Sequence, residues 1–268
     1  MAFDPRAALL ACVAQPDADL AEAALWLAVE DDPDVDPAPW LALLDEIAGE
    51  LGPRIGGADL PSSGLAAVIA ATVRDRLRLR GADGTDPRHH YLSSILEHGA
   101  ANPIGCSTVW MAVGRRARLP VEGVGIPGHF LVRVAGGLVD AHGDGAPVGL
   151  DQARRLVARV TGDDPGEIEP WLAATGVREV VARMSRNLRS LYANRQEWPL
   201  ALRAADRCVA LLPEAPTELR ERGTLRLRLG LTGAAMRDLR RYLDGVPDDA
   251  PDRAQVERAY ASARGMLN

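Results

Sequence analysis

Cys106, His129 and Asp140 are the residues of this chain whose types and spacing suit covalent chemistry. Cys106 falls in a helix-like run that follows Asn102-Pro103. His129 opens a strand-like segment directly after Pro127-Gly128, and Asp140 lies on the next such segment. A thiol at a helix N-terminus gains thiolate character from the helix dipole and from a nearby imidazolium. An imidazole can then carry the proton while a carboxylate orients it. The trio thus has the parts of a thiol acyl-transfer site, with Cys106 attacking a carbonyl, His129 moving the proton and Asp140 or Asp144 orienting His129. Each residue also has a structural reading: Cys106 as a small buried side chain, and Asp140 as a turn cap or a partner of Arg133. Cys12 and Cys208 lie on apolar helix faces and read as core.

Several elements must position these groups. Asn102 is a favoured N-cap, and Pro103 is tolerated at the first helical position, where its missing N–H is no loss. That helix runs to about residue 117 and stops at Leu119-Pro120. The pattern then turns β-like: strands over 121–125, 129–134 and 138–141, with turns at 127–128 and 135–137. Upstream, residues 7–29 read as helical, followed by a proline-rich break and a helix over 40–51 with Trp40, Leu43, Leu44, Ile47 and Leu51 on one stripe. Ser62 or Ser63 is a candidate cap for a helix to about residue 79. A loop over 81–88 and a short helix over 91–97 follow. Residues 151–160 return to helix, and from about residue 180 the pattern is helical throughout.

This last region carries a repeat. Pro213 and Pro247 are 34 residues apart, and at the same offset Ala201 matches Ala235 and Ala205 matches Leu239. Leu188, Tyr192, Ala201, Ala205, Cys208 and Pro213 have the spacing of a tetratricopeptide repeat, and Gly223 stands where the second unit needs a small residue. The Arg runs over 220–228 and 237–241 alternate with acids and read as solvated helix faces. Trp110, Tyr192 and Tyr242 sit at helical spacing and read as core.

Composition excludes several classes of function. All 31 basic residues are Arg, so no lysine Schiff base, phosphate-loop lysine or lysine base exists. A net charge of −6 gives no basic footprint for nucleic acid. Three scattered cysteines suit neither a disulfide framework nor a structural zinc site and fit a reducing compartment. No apolar run approaches the ~18 residues of a membrane span, and the N-terminus lacks the basic and apolar regions of a signal peptide. A cytoplasmic protein is expected. All five His fall between residues 89 and 142 without HxxxH spacing, so neither a metal nor a cofactor is expected.

Asp86-Pro87-Arg88, Tyr91-Leu92, Asn102-Pro103-Ile104, Val113-Gly114-Arg115-Arg116, Leu119-Pro120 and Pro127-Gly128-His129-Phe130-Leu131 resemble the SirB-type family, as do Arg186-Asn187-Leu188, Leu212-Pro213, Arg220-Glu221-Arg222-Gly223 and Leu229-Gly230. The resemblance spans nearly the whole chain. It implies an α+β fold: a helix-rich, papain-like transglutaminase-like domain with a small antiparallel sheet, then an all-α domain of tetratricopeptide-like repeats. The expected boundaries are 1–165 and 178–268, joined through 171–177.

Register sets the functional expectation. In active transglutaminase-like domains, the nucleophilic Cys stands about seventeen residues before the Pro that ends its helix, and counting back from Pro120 reaches Pro103. Cys106 lies three residues further in, displaced along the axis by about 4.5 Å, where the dipole's influence fades. The hairpin leaves two registers open. A two-residue turn at Gly136-Gly137 sets Asp140 opposite Arg133 and parts it from His129 by roughly 13 Å; a looser turn brings the pair together. The favoured expectation is a non-catalytic interaction or regulatory protein that binds a protein or peptide through its repeats. The alternative is a cysteine-dependent amidase, protease or acyltransferase using Cys106, His129 and Asp140.

Overall fold

The computed structural model describes residues 3–266. The chain divides into two compact units, Met1–Val181 and Ala182–Asn268. The architecture is α+β: a helix-rich unit carrying a small antiparallel sheet, then an all-helical repeat unit.

The first unit begins with α1 (Pro5–Val13) and α2 (Leu20–Asp31). The single helical stretch expected over 7–29 is therefore two helices. Pro16 lacks an N–H and disfavours a helical residue before it, and Asp19 accepts from the N–H groups of Ala21 and Glu22 to start α2. Next come α3 (Pro37–Gly49), α4 (Leu51–Ile55) and α5 (Ser62–Leu77). Neither Ser62 nor Ser63 caps α5, because the helix already begins at Ser62 and Pro61 holds the cap position without a side-chain bond.

A two-residue strand, β1 (Arg80–Gly81), pairs in parallel with β2 (Ala100–Ala101). Between them lie a 3-10 turn at Pro87–His89 and α6 (Leu92–His98). α7 (Pro103–Arg116) follows, with Asn102 as N-cap accepting from the Gly105 N–H at 2.8 Å. Every residue from Ile104 to Gly114 is buried, as expected of a helix apolar on all sides. The approach of its neighbours requires small residues: a Cβ on Gly114 would stand 2.6 Å from a Val121 methyl.

The sheet runs β3 (Val121–Ile126), β4 (His129–Val134), β5 (Gly137–Asp140) and β6 (Ala146–Pro147), all antiparallel in that order. β6 carries no alternation of its own and is not legible from sequence. α7 packs on β3 and β4. Val124, Ile126 and Leu131 join Val148, Ile168, Leu172 and the inner face of α8 (Leu150–Thr161) in a separate cluster.

α9 (Val177–Asn194) contains the boundary between the units. The second unit continues with α10 (Trp198–Leu211), α11 (Pro216–Arg228), α12 (Thr232–Gly245) and α13 (Arg253–Met266). A Cβ on Gly223 would meet Leu239 at 2.8 Å, which is the close crossing that the repeat requires of a small residue. Trp110, Tyr192 and Tyr242 are buried. Arg228 of α11 and Arg237, Arg240 and Arg241 of α12 are exposed, as expected of a solvated face, but Arg222 and Arg226 of α11 are not. Arg222 makes a bidentate pair with buried Asp238 at 2.7 and 2.8 Å, and Arg226 bridges Asp238 and Asp206 at 2.8 and 3.0 Å. A helical period cannot distinguish a guanidinium in water from one clamped between helices. Among the described residues, no helix is long and apolar enough to cross a membrane.

Candidate functional site

The β4–β5 hairpin sets the geometry of the site. Its turn residues are Ala135 and Gly136, both with positive φ (45° and 86°), as the tight two-residue hairpin turn requires. Val134 therefore pairs with Gly137, Arg133 with Leu138 and Val132 with Val139. This register lies two residues from the one that a Gly136-Gly137 turn would give. Continued along the ladder, it sets Asp140 opposite Leu131, a diagonal neighbour of His129 on the same face.

The structure places Asp140 Oδ2 3.0 Å from His129 Nε2, with both side chains largely shielded from solvent. Burial works against the Asp140 carboxylate, but the hydrogen bond and charge of His129 and the N–H groups of Gly143 and His142 outweigh it. The carboxyl is held below its ordinary range. Asp140 also caps its own turn, accepting from the His142 N–H at 3.0 Å. It does not pair with Arg133, which reaches Glu122 at 2.9 Å and the Leu172 carbonyl. Asp144 lies apart from His129, with an exposed carboxylate facing Arg74 at 3.5 Å.

Cys106 is the fourth residue of α7, counting Pro103 as the first. Its N–H is committed to the Asn102 carbonyl at 3.0 Å. Its side chain is fully buried, with Sγ directed at the carbonyls of Ala101 (3.6 Å) and Arg80 (3.9 Å). Burial, and then the negative charges of Asp140 and Asp144, push the thiol up to about 12. Electropositive, partly exposed surroundings are what lower a thiol pKa, and Cys106 has neither. The structure thus brings His129 and Asp140 together and leaves Cys106 beneath the surface as a neutral thiol.

Cys208 is fully buried, and burial likewise raises its thiol to about 12. Cys12, expected in the core, is only half-buried and lines an open cavity between α1 and α2. The terminal turn of α1 leaves one side of the residue uncovered.

Two histidines gain roles that the sequence did not single out. The His142 ring stands edge-on to His129 with centroids 6.4 Å apart, and its Nε2 meets the Ala82 carbonyl at 3.0 Å. A Cβ on Gly81 would collide with that ring at 2.7 Å. His90 is buried and contacts both Gly84 O and the Asn102 side chain at 2.8 Å. The crowding of all five His into residues 89–142 was the available signal. Among the described residues, no group of three or more His, Cys, Asp or Glu side chains is arranged to hold a metal ion.

Comparison with known proteins agrees with this architecture. The transglutaminase-like superfamily pattern matches residues 38–186, and a tetratricopeptide-repeat pattern matches residues 188–261. Two UPF0162 proteins from Xylella fastidiosa strains are each 38% identical over 169 residues, covering 60% of this chain. The match spans only 60% of the length of those relatives. A UPF0162 protein of Pseudomonas aeruginosa is 33% identical over 248 residues, 90% of each chain. No solved structure gives a significant match. A transglutaminase-like pattern over more than half of the chain, with a relative matched over nine-tenths of it, shows that this protein belongs to the transglutaminase-like superfamily and to the UPF0162 family, with tetratricopeptide repeats following its first unit.

Proposed function

We propose that this chain is a cytoplasmic SirB-type interaction or regulatory protein. In this reading its transglutaminase-like unit binds without thiol chemistry, and its repeats engage a protein or peptide partner. The observation that carries the reading is the state of Cys106: fully buried, bonded to carbonyls and pushed up to about 12. Position 103, where the register of active relatives puts a nucleophile, holds proline. A tetratricopeptide array is a surface for protein–protein contact, which supplies the partner class.

A thiol amidase, protease or acyltransferase using Cys106, His129 and Asp140 is the second reading, favoured by the 3.0 Å His129–Asp140 pair. The rate of alkylation of each Cys against pH, in the folded protein, separates the two. A group near 12 carries more than about a thousandfold less thiolate at neutral pH than an ordinary cysteine of pKa about 8.5. Cys12 is expected to react first, with Cys106 and Cys208 silent until the protein unfolds. Rapid alkylation of Cys106 with an apparent pKa below that ordinary value, abolished in His129→Ala, would establish the enzyme reading instead.

A further inference from the structure

The segment between β1 and α6 is held against the N-terminus of α7 by a chain of three contacts. The Asn102 side chain accepts from the Gly105 N–H at 2.8 Å. An amide oxygen is the only Asn side-chain atom that can accept, so Oδ1 faces Gly105 and Nδ2 faces His90. Asn102 Nδ2 lies 2.8 Å from His90 Nδ1, and His90 Nε2 lies 2.8 Å from the Gly84 carbonyl. The amide is a donor and the carbonyl an acceptor. The imidazole must therefore accept at Nδ1 and donate from Nε2, which only one neutral tautomer can do. His90 and Asn102 are 5% and 4% exposed, so no solvent substitutes for either bond.

We infer that His90 is an acid-sensitive latch that ties segment 82–90 to the capped end of α7 and comes undone, at the segment or at the cap, when the imidazole takes a second proton. A proton at Nδ1 sets N–H against the Asn102 amide N–H. Two ways out exist. The amide can turn over, which gives His90 an acceptor but presents NH2 to the Gly105 N–H and loses the cap. Alternatively the ring can leave, which strands the Gly84 carbonyl. The first route uncaps α7 but leaves the segment tied; the second keeps the cap but loosens the segment that also carries Ala82, the carbonyl held by His142 beside His129. The His142 contact does not share this sensitivity, because Nε2 donates to Ala82 in the charged ring as well as in one neutral tautomer.

The charged surroundings do not rescue the imidazolium. Asp86 is engaged with Arg88 and caps the 3-10 turn, Asp83 is bound to Thr85 and stands 3.9 Å from His89, and His89 is itself basic. α6 and its N-cap bring Tyr91, bonded to Asp31, and the exposed Glu97 and His98. The first two turns of α7 offer no charge, and its Cys106 thiol is neutral. Burial, outweighing the bond to Gly84, lowers the His90 pKa. The sign follows: the latch contributes in full above the unfolded value of about 6.5 and is lost as pH falls through the lower folded value.

Amide hydrogen exchange on the full chain, expressed as protection factors, tests the latch. Between about pH 7.5 and a pH below the His90 midpoint read by ring-nitrogen NMR, the Gly105 amide, if the Asn102 amide turns over, or residues 83–90, if the ring leaves, should lose at least about tenfold in protection. In His90→Gln, which cannot titrate, that loss should vanish; in His142→Gln it should remain. Unchanged protection in the wild type, or the same loss in His90→Gln, overturns the inference. Should His90→Gln fail to fold, ring-nitrogen NMR of the wild type serves instead. It should find His90 as the Nε2–H tautomer, titrating below about 6.5 with the midpoint of the lost protection. A higher midpoint, or one that does not coincide, is equally fatal.

Discussion

The first turn of α7 and the β4–β5 hairpin are the two halves of one candidate site, and they have fared differently. The hairpin holds an imidazole and a carboxylate at 3.0 Å, each largely shielded, with backbone N–H groups completing the shell of the acid. The helix start holds proline at its first position and a cysteine one turn deeper, where carbonyls rather than cations surround the sulfur. Orienting a base and activating a nucleophile are therefore separable properties of this fold. The strand register secures the first. The second depends on one side chain at one helical position, and a shift of three residues moves a thiol from the helix mouth into the core.

Moving the thiol back should produce the largest effect. In Pro103→Cys the Asn102 cap remains, and the new side chain occupies the first helical position, which is half-buried rather than buried. Helix N-termini lower thiol pKa values. The new cysteine should alkylate at least about a hundredfold faster than Cys106, with an apparent pKa below about 8.5, as read by site-resolved mass spectrometry. If both thiols prove equally inert, the two halves differ for some reason other than position along α7.

The hairpin half is probed by Asp140→Asn, which keeps an acceptor for the His142 N–H but removes the charge facing His129. Hydrogen bonds to charged groups contribute about 1.5–3 kcal/mol, so a loss of about that size is expected at neutral pH. Because the folded carboxyl lies below its ordinary range, its stabilisation is present above about pH 4 and is lost as pH falls through the folded value. Urea midpoints of variant and wild type should therefore converge at acid pH. A cost that stays the same at pH 7 and pH 3 would assign Asp140 a packing role only.

What sequence could and could not say follows the same division. The cap and proline at 102–103, the strands at 121–134 and the 34-residue repeat were legible because each is local: a cap chemistry, a period, a spacing. The His129–Asp140 contact is open in the sequence because Gly136-Gly137 is the pair that turn preferences favour; the pair is brought together not by a looser turn but by an equally tight one at Ala135-Gly136, which puts a residue with a Cβ at positive φ. Burial of Cys106 was open for a related reason. Helical spacing gives the face a residue lies on, but not how far the neighbouring β1 and β2 backbones close over it. The clamping of Arg222 and Arg226 is not legible because Asp206 and Asp238 approach them from other helices.

The smallest effect tests the register itself. Ala135 is exposed and has φ 45°, a left-handed conformation that costs a residue with a Cβ about 1 kcal/mol. Asn tolerates that region through local hydrogen bonding, and Asn-Gly is the preferred pair for this turn. Ala135→Asn should therefore stabilise the first unit by about 0.5–1 kcal/mol, seen as a rise in its denaturation midpoint, without changing the NMR signature of the His129–Asp140 pair. The opposite result would be expected if Gly136-Gly137 formed the turn. Ala135 would then be an extended strand residue paired across the ladder, where Asn is disfavoured, and the substitution would destabilise. One surface residue thus reports which register brings His129 and Asp140 together.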